Sequence, residues 1–110
     1  MTDKAKISLL LDYYGAFLTE RQRELMLMSA DEDMSLSEIA DIVGVSRQGV
    51  RDCLARATKE LREMDGRLGL IEKDRALRAI SDELETALNG SSDISAEVKK
   101  AIDAIRSVTR

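Results

Sequence analysis

At 110 residues the chain is long enough for one domain or one domain with a tail. It has no proline, no histidine and a lone cysteine, Cys53, so an intramolecular disulfide is excluded and there is no set of soft ligands for a structural zinc. A formal net charge of −4 argues against indiscriminate coating of nucleic acid, which depends on neutralising phosphates, and the three aromatics, Tyr13, Tyr14 and Phe17, are too clustered to stack a single strand.

Abundant Leu, Ala, Glu, Arg and Ile with no helix-breaking proline predict an all-α fold. Ile7, Leu10, Leu11, Tyr14 and Leu18 recur at three- and four-residue spacing, giving a first amphipathic helix that ends near Phe17. Thr19 with Gln22 is a capping-box pair, in which hydroxyl and side-chain amide satisfy each other's orphan backbone donors, and a second helix is expected from Glu20 to about Ala30. The adjacent acids Asp31, Glu32 and Asp33 read as a solvated connector.

Ser35 with Glu38 repeats the capping-box pattern and opens a helix of about two turns that stops at Gly44. Ser46 caps the next helix, in which Val50, Cys53, Leu54, Ala57, Leu61 and Met64 form the packing face as far as a break at Asp65-Gly66. Gln48, Arg51, Ala55, Arg56, Lys59 and Arg62 fall largely on the other side. Beyond Gly69, Leu70, Leu77, Ile80, Leu84 and Ala87 are spaced as a short coiled-coil-like seam that ends at Asn89-Gly90. After the Ser91-Ser92-Asp93 turn, a last helix is expected to turn Ile94, Val98, Ala101, Ile102 and Ile105 inward. The division expected is an N-terminal helical core over 1–66, with a helix-turn-helix over 36–64, and a C-terminal helical hairpin or dimerisation tail over 67–110.

Two helices crossing steeply over a tight turn need a small residue at the crossing, a glycine in the turn and apolar residues on the facing sides. Ala40 fits the crossing, Gly44 the turn, and Ile39, Val43, Val45, Val50 and Cys53 the buried faces. A plain helical hairpin would need only the glycine, so the whole set points to a true helix-turn-helix. Charge is segregated around it. Between Ser29 and Asp41 there are five acids and no base, whereas from Arg47 to Arg62 five bases stand against two acids.

A DNA-reading helix-turn-helix places the first residues of its second helix at base edges. Here those are Arg47, Gln48 and Arg51, with Ser46, Arg56 and Lys59 positioned for phosphates. Arginine pairs with guanine and glutamine with adenine, so the chemistry suits a major groove. Asp52, in the middle of the face, works against it, and the charges of a solvated outer face would read the same way.

The runs Leu9-Leu10-Leu11-Asp12-Tyr13-Tyr14-Gly15, Leu18-Thr19-Glu20-Arg21-Gln22-Arg23-Glu24, Ser35-Leu36-Ser37-Glu38-Ile39-Ala40 and Val45-Ser46-Arg47-Gln48-Gly49-Val50 together resemble the YlxM family over roughly residues 7 to 75. These are small bacterial proteins whose helix-turn-helix is similar to region 4 of sigma factors. Where that family commonly has a Tyr-Tyr-rich segment after the second helix, this chain has Met26-Leu27-Met28-Ser29-Ala30, and its tail beyond Arg75 carries none of the motifs. Family members lie beside the genes for the signal recognition particle GTPase and its receptor. The resemblance therefore implies a regulatory role in protein targeting, with DNA, particle RNA or either GTPase as partner.

Other sites weigh little. Met26, Met28, Met34 and Met64 are scattered and read as core filler, and the acids at 31–33 lack the spaced loop of a calcium site. No nucleophile sits beside a plausible base and no glycine-rich phosphate loop follows a strand, so neither an enzyme nor a cofactor is expected. No apolar run approaches the roughly 20 residues that span a bilayer, and Met1 to Lys6 lacks a signal-peptide design. The expectation is a cytoplasmic regulatory protein without membrane insertion. Its C-terminal seam, left over once the N-terminal helices bury their own faces, favours a homodimer.

Overall fold

A computed structural model describes residues 2–89 and 96–108. The described residues form six α-helices and no strand: α1 Asp3–Tyr14, α2 Glu20–Ala30, α3 Leu36–Val43, α4 Arg47–Leu68, α5 Leu70–Asn89 and α6 Ala96–Val108, with one 3-10 turn at Gly15–Phe17. The chain divides between Gly69 and Leu70 into two compact units.

In the first unit α1, α2 and α3 gather around α4. Leu10, Leu11, Tyr14 and Leu18 are buried from the N-terminal side, Leu25 and Met26 from α2, Ile39 and Ala40 from α3, and Val50, Ala57 and Leu61 from α4. Helix starts follow the side-chain chemistry. Thr19 accepts from the Gln22 amide while the Gln22 side chain accepts from the Thr19 N–H, and Ser35 and Glu38 do the same at α3. The Ser46 hydroxyl accepts from the Gly49 N–H at 3.0 Å, leaving the chain free to turn sharply between α3 and α4.

That turn depends on Gly44, whose φ of 74° lies in the left-handed region and whose N–H donates to the Ala40 carbonyl. A Cβ built there would meet nothing within 4 Å, so a substitution is opposed by backbone strain alone. Gly44→Val is expected to lower stability by at least about 1 kcal/mol, because a β-branched residue is the least tolerant of positive φ. Gly44→Asn should lose less, since asparagine visits that region more readily. Thermal melting checks both, and an unchanged midpoint for the valine variant would show that the turn carries no such constraint.

Helix α4 does not break at Asp65-Gly66. It runs on to Leu68 and stops at Gly69, which takes φ 61° and donates its N–H to the Asp65 carbonyl. An interior glycine costs a helix only about 1 kcal/mol relative to alanine, which tertiary contacts can offset. Here the Asp65 carboxylate accepts from the Tyr14 hydroxyl at 2.7 Å, so it anchors the last turns to α1 and does not compete with the local backbone. Tyr14 is fully buried, and this bond gives its polar end a partner.

In the second unit α5 and α6 pack together, and Arg106 of α6 pairs with Asp82 and Glu85 of α5. Burial falls on Ser81 and Ile102. The seam Leu70, Leu77, Ile80 and Leu84 is exposed, as are Ala87, Val98, Ala101 and Ile105. Of the inward set expected for the last helix, only Ile102 is buried; Ile94 lies outside the described residues, as does the 91–93 turn. A pair of helices can bury only the residues directly between them, so periodicity marked an apolar face without marking what covers it.

Candidate nucleic-acid interface

Helix α3 and the start of α4 form the two arms of the helix-turn-helix, joined through Gly44, Val45 and Ser46. Their junction is a closed apolar cluster. Leu25, Ile39, Ala40 and Val50 are buried, and Met28, Met34, Leu36, Val43, Cys53 and Leu54 are partly buried against them. Of the residues expected to form this core, Ile39, Ala40 and Val50 are fully inside, and Val43 and Cys53 are half-buried. Val45 is a correction: it is 42% exposed, because it sits in the turn between two helix ends and belongs to neither packing face. Met28 and Met34 are core filler, as their scattered spacing suggested.

Ser46, Arg47, Gln48, Arg51, Arg56 and Lys59 are all exposed. Arg47, Gln48 and Arg51 line one recess of about 420 Å³ with Leu36 of α3. They are not equally free. The Arg47 guanidinium donates to the Ser37 hydroxyl at 3.2 Å, tying the two arms together across the turn. The Gln48 amide nitrogen donates to the Asp52 carboxylate at 2.8 Å, one helical turn on. Asp52 is thus partly engaged by Gln48, which tempers its conflict with an incoming anion. Arg51 has no hydrogen-bond or ion-pair partner among the described residues, and neither do Arg56 and Lys59.

Cys53 is a free thiol on the opposite edge of α4. Burial pushes it above its ordinary range, although the nearby Arg21 and Arg56 pull the other way. The thiol is therefore neutral at pH 7 and poorly suited to nucleophilic work. Among the described residues no group of three or more His, Cys, Asp or Glu could hold a metal ion, and no helix is long and apolar enough to cross a membrane. Sequence reasoning missed Arg21. Its position two residues into α2 gives no periodic signal, and only the packing of α2 on α4 brings it to the edge of the site.

Comparison with known proteins agrees with the helix-turn-helix fold. Residues 1–101 match the family model described as "Putative helix-turn-helix protein, YlxM / p13 like", so the likeness extends well past the Arg75 limit at which the motifs fade. The UPF0122 protein of Symbiobacterium thermophilum is 47% identical over 107 residues, covering 96% of this chain and 97% of the relative. A UPF0122 protein of Clostridium perfringens is 41% identical over 103 residues, covering 94% and 92%. The chain belongs to the YlxM/p13-like family of helix-turn-helix proteins.

Proposed function

We propose that this family member is a non-enzymatic, cytoplasmic regulator that binds nucleic acid through the solvent face of α4. The observation that carries this reading is the recess where Arg47, Gln48 and Arg51 stand exposed at the start of the second arm, with no acid paired to either arginine among the described residues. A helix presented this way can enter a major groove with its first turns at base edges. The ligand is DNA or, following the YlxM resemblance, the RNA of the signal recognition particle. Gel-shift titration of the full chain with a generic duplex and with particle RNA, at low and moderate salt, tests it. Salt-sensitive binding of either supports the proposal, and no binding of either at low salt overturns it.

A second reading has its own support. Ile42 and Val45, beside the turn, are 61% and 42% exposed, and apolar side chains at that place suit a protein partner better than a phosphate backbone. In this reading the same arms form an adaptor that modulates the targeting GTPase or its receptor. Pull-down with each GTPase, weakened by Ile42→Ala and by Arg51→Ala while nucleic-acid binding stays at the parent's level, would establish it.

For the C-terminal part, residues 67–110, we propose self-association. Leu70, Leu77, Ile80 and Leu84 keep the seven, three and four spacing of a helix seam and are between 36% and 60% exposed. Sedimentation of the intact chain is expected to show a dimer that Ile80→Glu dissociates. A monomer at every accessible concentration would rule the dimer out.

A further inference from the structure

Another recess along the first turns of α4 lies away from the base-reading residues. It is a cleft of about 360 Å³ between the start of α2 and the first turns of α4, lined by Thr19, Arg21, Gly49, Asp52, Cys53 and Arg56 among others. We infer that this cleft seats a backbone phosphate of the bound nucleic acid, with Arg21 of α2 and Arg56 of α4 as its two guanidinium contacts. The inference rests on the nucleic-acid reading above and adds to it a residue outside the helix-turn-helix.

Arg56 follows Arg47 by nine residues, which at 3.6 residues per turn is about half a turn around the helix axis. The two arginines therefore mark opposite edges of the exposed face of α4. A helix about 10–12 Å across fills a major groove about 12 Å wide, so with the Arg47 side turned to the bases the Arg56 edge faces the phosphates of one wall. On the Arg56 edge α2 supplies a second cation, because α2 packs against α4 and ends its first turn at the cleft.

Both guanidiniums are exposed, and neither has a hydrogen-bond or ion-pair partner among the described residues. Both favour the charged form of the Cys53 thiol, which places positive potential inside the cleft. Asp52 opposes them with one carboxylate, already engaged by Gln48. Gly49 contributes no side chain to the lining. Two planar forks lining one open cleft suit phosphate oxygens better than one lysine-like point charge would.

The test uses the full chain and a fluorescently labelled random-sequence DNA duplex over a range of salt. Arg21→Gln should weaken binding several-fold on unrelated sequences alike. It should also reduce the slope of log affinity against log salt by about 0.9, the value for one phosphate contact. Arg21→Lys should restore the slope, and Asp52→Asn should tighten binding. Arg21 is exposed, so the melting midpoint of Arg21→Gln should match the parent's. In the parent, saturating duplex should slow alkylation of Cys53, which shares the cleft. A parental salt slope in Arg21→Gln, or Cys53 alkylation unchanged by a duplex that is bound, would overturn the phosphate seat and leave the nucleic-acid reading intact. Failure of the parent to bind duplex at low salt would overturn both.

Discussion

Ile39→Ala is expected to destabilise the first unit by about 2–5 kcal/mol, the range for truncating a large aliphatic side chain in a closed core. Ile39 is wholly inaccessible and lies where α3 meets α2 and α4, packed with Leu25, Ala40 and Val50. The loss has two parts, the transfer free energy of the deleted carbons and the hole they leave. Met28 and Met34 border the same cluster, and their unbranched side chains can partly fill the space, which pulls the effect below the top of the range. Against a typical total stability of about 5–15 kcal/mol, even the lower value is a large fraction. Ile42→Ala on the same helix is the control. Ile42 is 61% exposed, and its truncation should stay within about 0.5 kcal/mol. Denaturant titration of both variants measures the contrast, and equal midpoints would mean that α3 does not dock as described.

Arg51→Ala is expected to cost about 1–3 kcal/mol of nucleic-acid affinity if Arg51 reads a base, the worth of a good bidentate contact. Arg47 is tied to Ser37 and Gln48 to Asp52, whereas the donors of Arg51 have no partner to give up among the described residues. Arg51 therefore enters a complex without breaking an existing bond, and its removal should be felt more than that of its neighbours. The signature matters as much as the size. Discrimination between sequences should fall if Arg51 meets a base edge, and the salt slope should flatten by about one contact if it meets phosphate. Stability should not change, because the side chain is exposed. If Arg51→Ala and Arg47→Ala bind like the parent, the proposed reading face is wrong, and loss of GTPase binding in the same variants would make it a protein interface.

What is local could be read from the residues alone. The capping pairs Thr19 with Gln22 and Ser35 with Glu38 start helices where their spacing says, because each pair closes its hydrogen bonds within one turn. Gly44 ends α3 because its left-handed φ needs no distant partner. The family, too, was legible in contiguous motifs. Whatever depends on partners far along the chain came from packing. Asp65-Gly66 looks like a stop, yet α4 continues because Tyr14, 51 residues earlier, holds Asp65. Val45 has the residue type of a core position, and only the path of the turn leaves it exposed. The α5 seam has the period of a buried face and is not covered by α6, since periodicity fixes an orientation and only a packed neighbour removes water from it. Arg21 becomes a neighbour of Arg56 for the same reason: the docking of α2 on α4 brings together charges that are 35 positions apart in a sequence where nothing links them.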